Sequence, residues 1–313
     1  MRCVGVSSSV ELFAQEDSYF SYFNSPYIGH KRCSAIDIYP SHGDWGGPAF
    51  SPIDGKVVAT RKISMGTKKV FPSEGSDYAI ATRPEGTDKI VRVLHCTPGV
   101  SRGDSVDRGD EIGRILRSRF FCFWTGPHYH VEVMDEKDFS RSSQSDPISV
   151  DLPSATVIDK GMQKKPECQV TGVSTDIMTG VFAEWSYVRA GNLFGHLALV
   201  DGASDVGILD GGVPHYNHGG FVGRALDVGG RNVDAWSSQV GVVTTAYHNF
   251  LQFDTSSTFR PKVDDIPIHG ISCYIFSRSQ TFKGMPPIYL IPEKYGQFVG
   301  EYNEGDVVMV SFG

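Results

Sequence analysis

The sequence has no apolar run long enough to cross a bilayer, so no membrane span is expected. Its N-terminus, MRCVGVSSSVELFAQEDSYF, lacks an apolar core of signal-peptide length and meets acidic residues early. Taken at face value, the chain stays in the cytoplasm. Basic charge is also scarce: 29 Lys and Arg face 36 Asp and Glu, a net charge of −7. That leaves no electrostatic footprint for nucleic acid, which is excluded as an expected partner. Cys3, Cys33, Cys96, Cys122, Cys168 and Cys273 are scattered, with no CxxC pair. A chain of 313 residues needs no disulfide staples, so free thiols in a reducing compartment are expected. No clear internal repeat is visible.

Turns and short apolar runs are abundant. The 35 glycines and 17 prolines separate runs such as KVVAT and YAIAT, a pattern of strands rather than helices. GKVVATRKI, DYAIATRP, KIVRVLHC and HYHVEVM read as strands, with SPIDG and RPEGTDK as turns. GDSVDRGDEIG reads as two Gly-Asp turns around a short strand. FAQEDSYFSYF reads as a short helix or a covering segment. The stretch 134–170 is irregular and rich in Ser, Asp, Lys and Pro, and strand-like runs (HLALV, VGVVTTAY, GISCYIFSR, PPIYLIP, DVVMVSF) resume after it. The expected fold is mainly β: an antiparallel, barrel-like core plus a second β-rich domain. The expected divisions are a covering segment 1–27, a domain 28–150, a linker 151–169 and a domain 170–313.

The candidate chemistry lies in GHKRCSAIDIYP (29–40), VRVLHC (91–96) and TGPHYHVEV (125–133). Alternate strand residues share a face, so His128 and His130 point together, as one metal ligand and a neighbouring base would. Catalytic zinc takes three N or O ligands and leaves a fourth position to water. His30 and Asp37 can supply two and His130 the third. Each has a plainer reading: Asp37 as a turn cap, His30 as a solvated loop residue, His95 as a core histidine on a backbone partner. Glu132 alternates in phase with His130 and can stand behind it.

Taken in order, these segments resemble the lysostaphin/LytM-type zinc endopeptidases. The resemblance rests on His30…Asp37, SPIDGKV (51–57), VLHC (93–96), VSRGDSVDRGDEIG (100–113) and TGPHYHVEV, and covers about residues 28–134. It implies a compact antiparallel β core with Zn2+ in a groove. It implies His30, Asp37 and His130 as metal ligands, and His128 and His95 as catalytic histidines. It implies a peptide or peptidoglycan-like substrate. One departure stands out: the family places three residues between its first His and its Asp, and here KRCSAI intervenes. Cys33 therefore competes with His30 as the first ligand; His30 is taken because an N/O set suits hydrolytic zinc. RSRFFCFW (117–124) replaces the small polar residues usual before the T-G, and is read as shaping a substrate subsite.

Two readings follow. One is a zinc-dependent endopeptidase; the other is a non-catalytic module that keeps the metal-site fold. The C-terminal domain is expected to cover the groove, bind substrate or form a homo-oligomer interface. Its HxxH pair, His215 and His218, reads as surface histidines in a loop.

Overall fold

The computed structural model describes residues 1–41, 43–161, 165–202, 206–223 and 229–312. It is almost entirely β, built from antiparallel sheets. The chain forms two compact units: Met1–Phe20 with Tyr27–Val150, and Ser21–Pro26 with the chain from Asp151 onward. Among the described residues no helix is long and apolar enough to cross a membrane.

The first unit begins with β1 (Arg2–Ser7) and β2 (Val10–Ala14), a hairpin. Then come β3 (Tyr19–Ser21), helix α1 (Ile28–Lys31), β4 (Ile36–Tyr39), β5 (Pro48–Phe50) and β6 (Gly55–Ser64). β7 (Ser76–Arg83), β8 (Lys89–Leu94), β9 (Cys96–Pro98), β10 (Ser105–Val106), β11 (Glu111–Ile115) and β12 (Tyr129–Asp135) complete it. The main sheet has the order β10-β6-β7-β8-β12-β4-β3, and β5-β11-β9 form a smaller one. β12 lies inside the main sheet and is buried on both faces over Tyr129–Met134. HYHVEVM nonetheless alternates: Tyr129, Val131 and Val133 share one face, and His128, His130 and Glu132 share the other, where the polar groups meet partners.

FAQEDSYFSYF is strand and turn rather than helix. Phe13 and Ala14 end the strand Val10–Ala14, Glu16 and Asp17 make a turn, and Tyr19–Ser21 form the next strand. Residues 151–169, read as a linker, hold a strand at Ala155–Ile158 and enter another at Glu167; residues 162–164 lie outside the described residues.

The second unit is built from longer hairpins. Six strands pair in the order Leu193–Val200, Asn232–Ala235, Ser238–Tyr247, Phe250–Thr255, His218–Val222, Gly207–Val213. Gly207–Val213 pairs back onto Leu193–Val200, which closes them into a barrel. The sheet continues from Gly207–Val213 through Gly270–Cys273 and Ile288–Ile291 to Val307–Phe312. Ser21–Pro26 is tied into this unit by Asp210, whose carboxylate accepts from Ser21 Oγ (2.5 Å) and Tyr22 N–H (2.6 Å).

Candidate metal centre

Register brings the candidate ligands together. On β4 and β12, Asp37 and His130 are directly opposed; on the other side His130 faces Leu94 of β8. Directly opposed residues have Cβ atoms about 4.5–5.5 Å apart, so Asp37 and His130 meet without any special loop. His30 comes from α1, which lies close to β12 because residue 29 is glycine: a Cβ there would sit 2.6 Å from Glu132 Oε1. The longer His30–Asp37 spacing is absorbed locally. α1 ends, Cys33 takes a left-handed φ of +53°, and Ser34 N–H bonds back to Gly29 O before β4 starts.

His30 Nε2 lies 3.2 Å from both Asp37 Oδ1 and His130 Nδ1, and those two atoms are 2.7 Å apart. Among the described residues, these three form the one group of His, Cys, Asp or Glu donors close enough to share a metal ion. Ligand atoms about 2.0–2.2 Å from a tetrahedral zinc lie about 3.4 Å from one another, so the donor types and the two 3.2 Å spacings fit, while the 2.7 Å Asp37–His130 pair would open as the ion replaces their hydrogen bond. Cys33 is not in the group; burial pushes its thiol up to about 12.

The group is framed by carboxylates and two further histidines. Glu132 Oε2 stands 3.5 Å from His130 Nε2, and Arg92 Nε donates to the same oxygen at 3.0 Å. Burial alone would lower the His130 imidazole, but Glu132 and Asp37 outweigh it and raise it to about 9. Burial would raise Asp37, yet His30, His128 and His130 hold it well below the usual carboxylate range. A cation bound here displaces the proton that His130 otherwise shares with its carboxylates.

His128 projects from the start of β12 on the His130 side. Its Nδ1–H donates to Gly126 O at 2.9 Å, and its Nε2 lies 3.5 Å from Asp37 Oδ2. Burial lowers it to about 4, so Nε2 carries a lone pair at neutral pH. His95 follows the last residue of β8 with a φ of +69°, which turns the chain out of the strand. Asp77 of β7 clamps it twice: Oδ1 accepts His95 N–H at 3.1 Å and Oδ2 accepts Nδ1–H at 2.7 Å. Burial would raise Asp77, but His95 and the hydroxyl of Ser118, 2.8 Å away, bring it below its ordinary value. The His95 and His128 rings sit with centroids 5.4 Å apart.

The structure therefore brings together all five residues named from the sequence. It also supplies three that sequence reading missed: Asp77, Arg92 and Ser118. Asp77 sits in DYAIATRP, where nothing but cross-strand pairing (Ala79 opposite Leu94) points it at His95. In the second unit, His218 is buried on a strand and His215 is half-buried, with Ser272 Oγ 3.3 Å from its ring, which corrects the surface-loop reading. PHYNHGG folds inward because the glycines after His218 let the strand pack against Phe23 and Phe253.

Residues 9–150 match a family model described as "Domain of unknown function (DUF8155) N-terminal domain". No curated protein sequence matches the chain. Two solved structures of lysostaphin are similar to it. An NMR solution structure shares 13% identity, with 76% of this chain and 94% of that chain covered, at a TM-score of 0.26. The antimicrobial peptidase lysostaphin from Staphylococcus simulans shares 15% identity, with 78% and 98% covered, also at 0.26.

Proposed function

We propose that the chain is a zinc-dependent hydrolase that cuts a peptide or other amide bond, with a peptide or peptidoglycan-like substrate. The observation that carries this reading is the convergence of His30, Asp37 and His130 beside two histidines whose Nδ1 atoms are already committed. His30, Asp37 and His130 are the ligands. Zinc held by them supplies a Lewis acid for the scissile carbonyl and a water of lowered pKa. His128, fixed by Gly126 O, takes the proton of the attacking water at Nε2. His95, fixed by Asp77, faces the developing oxyanion and stabilises it. Glu132 orients His130 from behind, and Arg92 keeps Glu132 ionised and in place.

The test is metal content and turnover measured together. Wild type binds one zinc by elemental analysis, and His130→Ala binds none. His128→Ala keeps the metal and loses hydrolysis of a peptide library. Full zinc in His130→Ala sinks the ligand set, and unchanged turnover in His128→Ala removes it as the base.

One observation favours the second reading, a non-catalytic module. The five site residues are at most 4% exposed. A substrate has to reach groups that are covered.

A further inference from the structure

Part of the cover over His95 and His128 is a short segment, the aromatic stretch 117–124, with the Tyr39 ring also 4.9 Å from that of His128. Phe121 is 3% exposed, and its ring centroid is 4.6 Å from that of His95 and 5.1 Å from that of His128. It lies against both histidines assigned catalytic roles, and its ring centroid is also 5.7 Å from that of Trp45. Phe120 adds a second ring 5.2 Å from His95. A piece of ordinary core would bury its large rings together. Here only Phe121 is buried, while Phe120, Phe123 and Trp124 stay half-buried.

The segment is attached differently at its base and its tip. At the base, Glu74 N–H donates to Arg117 O (2.7 Å), Arg119 N–H donates to Glu74 O (3.0 Å), and Ser118 Oγ donates to Asp77 (2.8 Å). The base is thus held by the same carboxylate that orients His95. At the tip, Tyr27 Oη donates to Phe120 O at 2.6 Å, and the two rings meet tilted, with centroids 4.1 Å apart. Tyr27 is the N-cap residue of α1, three positions before His30.

We infer that residues 120–124 are an intramolecular flap, hinged at Arg117–Arg119 and latched by Tyr27, whose Phe121 ring plugs the position that a substrate's apolar side chain takes beside the scissile bond. This rests on the hydrolase reading above and names its regulation and substrate class. Trp45, the wall behind Phe121, also lines a cleft of 580 Å³ with Thr97 and Leu116, and Leu116 N–H bonds to His95 O. A peptide lying in that cleft is bounded by Leu116, whose N–H holds the His95 carbonyl, and in this proposal an apolar side chain of it replaces the contacts that Phe121 gives up. A glycine-only peptide cannot. Exposing one phenylalanine and breaking two hydrogen bonds, from Tyr27 to Phe120 O and from Arg117 Nη2 to Phe123 O (2.6 Å), leaves roughly one molecule in a thousand to one in ten thousand open at rest.

The experiment reads access to the histidines without needing turnover. Full-length protein is treated with diethyl pyrocarbonate at pH 7, and labelling of His95 and His128 is followed by peptide mapping. Wild type labels slowly. Tyr27→Phe, which keeps the ring and loses the latch hydrogen bond, labels about five-fold faster. Phe121→Ala labels more than about ten-fold faster. Circular dichroism matching wild type separates opening from unfolding, and Tyr27→Phe stands if Phe121→Ala fails to fold. Wild-type labelling as fast as a free peptide, or no acceleration in Tyr27→Phe, overturns the flap. Hydrolysis is measured in parallel on a peptide with one phenylalanine and on a glycine-only peptide. Both variants raise kcat/KM, and wild type prefers the phenylalanine peptide; preference for glycine overturns the plug as a side-chain mimic. Faster labelling with no cleavage of any peptide keeps the flap and fails the hydrolase reading. Cleavage with unchanged labelling does the reverse.

Discussion

Both units bury histidines on or beside strands, and the two sets differ in what faces them. In the second unit, His196 meets the carbonyl of Pro287 (3.0 Å) and His218 meets that of Tyr216 (3.0 Å). In the first, His130 lies between two carboxylates and His95 against a third. The same burial then has opposite outcomes. It lowers His196 to about 4, and in His130 it is overridden and the ring is raised to about 9. A carbonyl satisfies a neutral imidazole and asks for nothing more. Two buried carboxylates around an imidazole ask for positive charge, from a proton or from a metal ion. The contrast separates a packed core histidine from a candidate ligand better than burial does.

The contrast breaks most completely at Asp37. Asp37→Ala is expected to remove bound zinc and to lower peptide hydrolysis by at least about 10³-fold, whereas His196→Ala keeps both. Metal analysis and a peptidase assay on the two variants decide it, and equal zinc in both denies the difference between the sets.

Next is the buried Arg92–Glu132 pair, in which neither side chain exceeds 4% exposure. Arg92→Met leaves the Glu132 charge uncompensated and destabilises the first unit by about 3–5 kcal/mol. Calorimetry is expected to show the transition of that unit moving down while that of the second unit holds. A stationary pair of transitions assigns the ion pair no structural weight.

A smaller effect follows at Asp77. Asp77→Asn keeps zinc but loses the acceptor that fixes His95, and kcat is expected to fall about 10²-fold with little change in KM. A rise in KM alone points instead to a wall of the substrate cleft.

The mildest test is acid. His196 is depressed in the folded state, so its contribution is full above its unfolded value of about 6.5 and declines as pH falls toward its folded value of about 4. Between those limits the unfolded chain holds the extra proton, and stability drops by about 1.4 kcal/mol per pH unit for this group. Denaturant titrations of the second unit at pH 7, 5.5 and 4.5 show this slope, and His196→Gln reduces it. An equal slope in the variant places the acid sensitivity elsewhere.

The strands of both units were legible in the sequence because period-two alternation and Gly-Pro turns are local signals. GKVVATRKI, KIVRVLHC and HYHVEVM each fall on a strand within a residue or two of their ends. FAQEDSYFSYF was ambiguous because it holds only the end of one strand and a three-residue strand, too little of either to show alternation.

The five residues of the candidate centre were readable for another reason: His128 and His130 share a strand face, and the spaced motifs around them carry their order. What the sequence by itself determined is thus the β class, most strand positions and the residue types available to hold a metal. The tertiary structure decided the partners and the access. Asp77 reaches His95, and Arg92 reaches Glu132, only across neighbouring strands of one sheet. His30 meets Asp37 through a turn at Cys33 that no spacing rule describes. Phe121 covers the histidines because its loop is pinned at Asp77 and Tyr27, residues 44 and 94 positions away in the chain. Such contacts depend on register and loop closure between distant segments, which leave no periodic trace in the sequence.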